Sequence, residues 1–392
     1  LTQIVAEELD LAPERVAMVM GSTASVPNQG ATIASASIQI HAVPLRQAAA
    51  QAKAWLAARG GGPQALAALA GQCIELALDS AVATKPVAEY RLVGQSAARV
   101  DIPAKAFGEE VFVHDMRLPG MLHGRVVRPP YAGFDAGEFV GNTLDRVDES
   151  SVAHIPGVVA VVVVRDFVGV VAEREDQAEA AMRALVVHWK PWLGRPGVEQ
   201  TENALRANPS TRRLLHEQGQ VDAAIAGAAQ PLQRSYLWPY QLHASIGPSC
   251  ALAHWHRPLL DELPAEDEAG EVATVWAGTQ NPHVLRNDLA QLMGVEPRRV
   301  SVVRMEAAGC YGRNCADDVA ADALLLSRAV GRPVRVQLTR EQENLWEPKG
   351  AAQLMEINGG LNADGSPAAY DFQTSYPSNG APTLALLLTG TV

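Results

Sequence analysis

A chain of 392 residues is longer than one ordinary compact unit, and 48% hydrophobic with 19% charged residues is the balance of a protein that folds around its own cores. Its 32 basic residues against 43 acidic ones leave a formal charge of −11, so no overall basic field exists to neutralise a nucleic-acid backbone, and nucleic acid is not an expected partner. The most apolar stretches, Val158 to Val164 and Leu384 to Leu388, have the length of buried strands or short core segments, not of a membrane span, and Cys73, Cys250, Cys310 and Cys315 match no zinc, iron–sulfur or haem spacing.

In chain order, Thr2 to Asp10 sets Ile4, Val5 and Leu9 at helical spacing with Leu11, and Val16 to Met20 after Pro13 predicts a short buried strand. Gly21 to Ser37, rich in Gly, Ser, Thr and Asn, predicts a polar loop. Pro44 to Ala58 predicts a helix that opens on its proline and ends at Gly60-Gly61-Gly62-Pro63. Arg99 to Pro130 alternates short strands with turn residues and, with Val158 to Val164, predicts a separate α+β domain. Asn208 to Ser235 is polar and locally helical, and the acidic run from 261 to 271 reads as a solvated hairpin loop.

The order of the first unit then returns. Val284 to Met293 predicts a helix, Val300 to Met305 a strand, Ala307 to Asn314 a glycine-containing loop and Asp317 to Val330 a helix. Pro13, Arg15 and Val16 follow Leu11 as Pro297, Arg299 and Val300 follow Val295, which marks two related units able to clasp one ligand between them. The expected domains are 1–85, 86–200 and 201–392.

Two loops carry the candidate chemistry. Ala308-Gly-Cys-Tyr-Gly-Arg-Asn314 lies between a strand and a helix, where free backbone N–H groups suit a phosphate or another anion, although a plain turn has the same composition. Val26 to Ser37 contains Thr32, Ala34, Ser35 and Ser37, small or hydroxylic residues that let a ligand approach the backbone; a polar surface loop is the simpler alternative. His254 and His256 alternate on one strand face without an evident third ligand, so no metal site is assigned.

Trp276-Ala-Gly-Thr-Gln-Asn-Pro282 followed by the glycine loop resembles the first cofactor domain of the xanthine dehydrogenase and aldehyde oxidase family of molybdenum hydroxylases. The T-x-A-S-x-S run from Thr32 to Ser37 resembles the second. The early position of that run is similar to the order in isoquinoline 1-oxidoreductase and the large subunits of nicotinate and aldehyde dehydrogenases.

The resemblance implies an α+β, multidomain subunit with two pseudo-repeated molybdenum-cofactor-binding domains flanking an α/β-hammerhead-like domain. It implies Gln280 at the apical side of molybdenum, Gly309, Cys310, Tyr311 and Gly312 against the pyranopterin, and Thr32, Ala34, Ser35 and Ser37 at the pterin and its phosphate. Asn314 stands where the family usually has lysine, and Trp346 and Glu347 fall near the substrate pocket of relatives. His243, in Gln241-Leu-His243, matches a family Gln-x-His pattern, but a hydrogen-bonded core histidine is the simpler reading. The cofactor implied is molybdopterin, as the cytosine dinucleotide, with Mo, and [2Fe–2S] and haem c sit on partner subunits: a small iron–sulfur subunit and a cytochrome c subunit.

The implied activity is hydroxylation of an aldehyde or N-heteroaromatic carbon with water-derived oxygen, in a bacterial protein that is periplasmic or held at the inner membrane by a partner, with a cytoplasmic location as the alternative. The family's late G-x-G-E glutamate has no match here. The only Glu after Gly350 is Glu356, which alternation places in an ordinary strand, so the catalytic base is unassigned. That absence, and the lack of an M-G-Q-G segment before Leu1, read as a fragment of a longer subunit. The competing reading is a non-catalytic scaffold or assembly protein that keeps the cofactor-domain fold.

Overall fold

The computed structural model describes residues 1–61, 75, 77–130, 141–191, 200–256, 270–377 and 383–391. Cys73, Gly62 and Pro63, and most of the acidic 261–271 run lie outside them. The chain is α+β, with sheets of seven, three and two strands among the described residues.

The seven-stranded sheet takes β1 (Leu122–Val127), β3 (Val158–Val164), β4 (Phe167–Ala172), β7 (Cys250–Trp255), β8 (Ala273–Ala277), β9 (Val300–Arg304) and β10 (Val334–Gln337) in the order β3-β4-β1-β10-β7-β8-β9. Because β1 pairs in parallel with β10, the sheet runs across the boundary drawn at residue 200. Helix α8 (Ala316–Val330) packs along one face. Its Leu326 reaches between Gly124 and Gly169 on adjacent strands, where an added Cβ would lie 2.7 and 2.8 Å from the leucine methyls. Any larger residue there would force the helix off the sheet. Helix α4 (Glu175–Ala184) covers the other face over Val168 and Val170, so β4 is buried on both sides and reads as a continuous apolar run.

In the 99–130 stretch the alternation gives one strand, β1, preceded by a short helix α3 (Ile102–Ala106) and by turns. Pro103 at the first helical positions favours that helix over a strand. Asn208 to Ser235, which follows helix α5 (Thr201–Ala207), holds only one turn of helix, α6 (Val221–Ala226), before β6 (Gln230–Trp238). β6 joins β11 (Gln353–Leu361) and β12 (Pro367–Ser375) in the three-stranded sheet. The two-stranded sheet pairs β2 (Leu144–Asp148) with β5 (Val186–Trp189).

The repeat inferred from the sequence has a matching backbone in both copies. Helix α1 (Thr2–Leu9) ends on left-handed Asp10, with Leu11 N–H bonding Ala6 O at 3.0 Å. Helix α7 (Pro282–Met293) ends on left-handed Gly294, with Val295 N–H bonding Ala290 O at 3.0 Å. Each closure is a helix C-cap of the kind that satisfies terminal carbonyls, and each is followed by a 3-10 turn, Pro13–Arg15 or Pro297–Arg299. The copies diverge at the next step. Val300 enters the sheet as β9, whereas Val16 to Met20 forms no strand and leaves Val19 and Met20 about two-thirds exposed. A strand needs a partner along its edge, and this segment meets the sheet only at Gly21–Thr23, beside Val302–Arg304.

Helix α1 differs from its apolar pattern too: its buried side includes Glu7 and Glu8. Glu7, 2% exposed, accepts N–H groups of Arg91, Leu92 and Val93 and pairs with Lys85 at 2.8 Å. Burial raises its pKa, but the Lys85 bond and the three N–H donors outweigh that and hold the carboxyl at about 2, against 4.5 ordinarily. Since the folded value is depressed, the stabilisation is complete above about pH 4.5 and is lost as pH falls toward 2. The gap in melting temperature between the wild type and Glu7→Gln is therefore expected to be widest above pH 4.5 and to shrink toward pH 2 in thermal scans. An equal gap at every pH would contradict this role.

Candidate functional site

The glycine loop is shaped by close approach of backbone to backbone. A Cβ on Gly278, just after β8, would lie 2.5 Å from the Ala307 methyl, and one on Gly247 would lie 2.4 Å from that of Ala308. Only glycine at both positions lets the 307–308 backbone seat between the neighbouring segments. Gly309, Tyr311 and Gly312 all take positive φ, 97°, 54° and 135°, so the chain coils tightly. The coil leaves the Tyr311 side chain 64% exposed. Asn314 pins the turn from inside, with Nδ2 donating to Gly309 O at 3.1 Å and Oδ1 accepting Ala316 N–H at 3.0 Å. The residue that replaces the family lysine thus holds the loop's shape.

The serine-rich loop bonds to the Gln280 segment after β8, and the two border one cavity with the end of the glycine loop. Thr32 N–H donates to Gln280 O at 2.9 Å, and Gln280 Nε2 donates to Thr32 O at 3.0 Å. Ala34 and Ser35 follow in left-handed conformation, φ 53° and 54°, and helix α2 (Ser37–Ala57) starts immediately after. The helix therefore begins seven residues before Pro44, which lies inside it. Proline at a first turn is the common arrangement, which is why Pro44 reads as the start in the sequence; here the helix carries it internally at the loss of one N–H bond. The earlier start matters for binding. The first helical bond runs from Ile40 N–H to Ala36 O, so the N–H groups of Ser37, Ile38 and Gln39 have no acceptor within the helix, and Ala36 offers no side-chain cap. The T-x-A-S-x-S run therefore ends on an open helix N-terminus, which attracts anions.

Between the loops is a cavity of about 50 Å³ bordered by Ala31, Ile33, Gln280, Asn281, Asn314 and Asp317. Asn281 Oδ1 and Asp317 Oδ1 are buried and have no partner there. Burial raises the Asp317 pKa, against a Thr279 hydrogen bond and the charge of Arg313. Unfilled acceptors in this cavity fit a ligand group that brings hydrogen-bond donors, and the open N–H groups at the start of α2 suit an anionic one.

Of the expected cofactor residues, Thr32, Ala34 and Ser35 lie on the first coil and Ser37 opens α2, Gly309, Cys310, Tyr311 and Gly312 lie on the second coil, and Gln280 bonds the first. Burial pushes the Cys310 thiol up, against N–H bonds from Gly312 and Asn314, so it is a packed thiol rather than a reactive thiolate. Trp346 and Glu347 part company. Trp346, at the end of α9 (Arg340–Trp346), borders a separate cavity of about 280 Å³ with Arg128, Met182 and Gln342. The Glu347 side chain is fully buried and accepts N–H groups of His243 and Ala244, and Glu343, one helical turn earlier, accepts the N–H and hydroxyl of Ser249. The pair holds the 243–249 segment, whose Gly247 abuts the cofactor loop. The His254 and His256 rings meet edge to face with centroids 4.4 Å apart, and His256 bonds Thr274; no metal-ligating cluster of three forms among the described residues. Glu356 pairs with Arg206 on the three-stranded sheet, away from the seam.

Comparison with known proteins gives a consistent picture. Two family models, each described as a molybdopterin cofactor-binding domain, match residues 1–110 and 206–385. The whole chain is 61% identical to 34% of a nicotinate dehydrogenase subunit of Pseudomonas putida. Over 67% of its length it is 27% identical to 32% of the beta subunit of isoquinoline 1-oxidoreductase of Brevundimonas diminuta. The chain thus spans about a third of the length of these relatives. Among solved structures, quinoline 2-oxidoreductase of Pseudomonas putida superposes with a TM-score of 0.55 at 18% identity, over 72% of this chain and 39% of that one. The aldehyde oxidoreductase of Desulfovibrio gigas does so with a TM-score of 0.53 at 18% identity, over 70% and 33%.

The tight seat of the loop is testable. Gly247→Ala is expected to lower stability by about 1–3 kcal/mol in urea denaturation through collision with Ala308, and adding Ala308→Gly is expected to recover most of the loss. Additive losses in the double variant would mean that the two residues do not share that space.

Proposed function

The chain belongs to the xanthine dehydrogenase family of molybdenum hydroxylases, and from that premise we propose that it cradles a molybdenum–pyranopterin group at the seam between its two loops. The observation that carries this reading is the mutual hydrogen bonding of Thr32 and Gln280, which joins the two segments of cofactor-domain character into one site.

In this reading Gln280 would present its side-chain amide to the metal end of the group, and the backbone of Gly309, Cys310, Tyr311 and Gly312 would hold the pyranopterin. Thr32, Ala34, Ser35 and Ser37 take the phosphate end, where the open N–H groups of α2 favour a dinucleotide form such as the cytosine dinucleotide. When bound, the group supplies the two-electron chemistry that hydroxylates an aldehyde or an N-heteroaromatic carbon with oxygen from water. A heteroaromatic substrate of the nicotinate type is favoured, given the name of the relative at 61% identity.

This chain's own contribution is positional. The glycine contacts fix the loop, Asn314 and the two buried glutamates keep it from relaxing, and Gln280 directs an amide whose carbonyl neighbour is already tied to Thr32. The four cysteines of this stretch have no iron–sulfur or haem ligand spacing. In this reading the electron acceptors are a small [2Fe–2S] subunit and a cytochrome c subunit with haem c, as the family resemblance implies. The relatives are bacterial, and a periplasmic or inner-membrane-associated complex suits a cytochrome partner.

Full-length subunit purified with its partners is expected to contain one molybdenum and one pyranopterin dinucleotide per polypeptide, by elemental analysis and fluorescence of the released pterin. A fully assembled complex containing neither would leave the scaffold reading standing. In the same complex, Gln280→Ala is expected to reduce turnover roughly tenfold, the equivalent of about 1.4 kcal/mol of lost hydrogen bonding, with the fold intact. Unchanged turnover would remove Gln280 from the site.

A further inference from the structure

The surroundings of His243 are those of a ligand-binding side chain. Its backbone N–H and that of left-handed Ala244 are both held by the buried Glu347 carboxylate, Ala244 at 3.0 Å from Oε2, so the ring cannot drift from its place. The ring lies against the glycine loop: a Cβ on Gly312 would fall 2.3 Å from its Cδ2 and 2.7 Å from its Nε2. Thus Gly312 is glycine partly because the imidazole occupies the space where a side chain would be.

Neither ring nitrogen is bonded by the described residues. Nδ1 is buried without a hydrogen-bond partner and sits 3.9 Å from Glu347 Oε1, beyond bonding distance but close enough to feel its charge. Nε2 has no partner among the described residues, and the side chain is 18% exposed. An unpaired buried polar group costs about 1–3 kcal/mol, and here the ring presents an unbonded Nε2 directly beside Gly312 of the coiled loop, where a ligand atom would offset that cost.

We infer that His243 is a further binding residue of the seam, its Nε2 hydrogen-bonding an atom of the pyranopterin group held along Tyr311 and Gly312, with Glu347 fixing the backbone that carries the ring. The inference rests on the proposed cofactor reading.

The test compares wild type, His243→Phe, His243→Gln and His243→Leu in the full-length subunit with its partners. The readout is the rate at which molybdenum and pterin are released during incubation in cofactor-free buffer, alongside melting temperature. Phe keeps a ring of similar shape without a hydrogen-bonding nitrogen, Leu keeps apolar bulk, and Gln reaches a similar point with a polar amide. Release is expected to be about tenfold faster for the Phe and Leu variants and close to the wild-type rate for Gln, at similar melting temperatures. Release at the wild-type rate from whichever of the Phe and Leu variants folds would overturn the inference, as would release from the Gln variant as fast as from them. A wild-type complex without molybdenum and pterin would defeat the underlying reading and this inference with it. A loaded wild type with indifferent variants would defeat this inference alone.

Discussion

Two hydrogen bonds between Thr32 and Gln280, residues 248 positions apart, join the two halves of the site. Each bond alone is worth about 0.5–1.5 kcal/mol, so their importance lies in what they align. They hold the loop that leads into α2 against the segment after β8, and both border a cavity with Asn314 and Asp317 at the end of the glycine loop. The edge contact of Gly21–Thr23 with Val302–Arg304 supports the same alignment, because it carries the first unit onto the sheet that carries the second.

Behind the seam the structure is built from close approaches that leave no freedom for repacking. Gly124 and Gly169 let Leu326 bring α8 down on the sheet, and α8 begins where the cofactor loop ends. Gly247 and Gly278 seat the loop from two sides, and Glu343 and Glu347 hold the segment that carries Gly247. The chain of contacts from the core to the loop is continuous. A site that must hold a large polar group against backbone N–H donors needs such rigidity, since a loop free to relax would satisfy those donors with its own carbonyls.

Much of this was legible in the sequence. The P-x-R-V repeat matched equal helix caps and equal 3-10 turns, since Pro and the preceding left-handed residue dictate local geometry whatever surrounds them. Helices α7 and α8 and strand β9 followed from hydrophobic periodicity, and the two loops were found from glycine and hydroxyl content. The failures have common causes. Val16 to Met20 has strand-forming residues, but pairing is a property of neighbours and no period reveals them. Pro44 marked a helix start that tertiary context moved to Ser37, and the apolar pattern of α1 concealed that its buried side is built from two glutamates. Gly247 and the Glu343–Glu347 pair shape the site through contacts distant in sequence, which composition does not record, whereas Asn314 acts locally, through Gly309 and Ala316.

The most direct test of the central claim is an experimental density map of the full-length subunit in its complex. Density for a pyranopterin is expected between residues 31–37 and 309–314, with Gln280 still bonded to Thr32 and its amide at the metal end. A map in which the group is bound elsewhere, or in which these two segments are separated while it is bound, would contradict the claim.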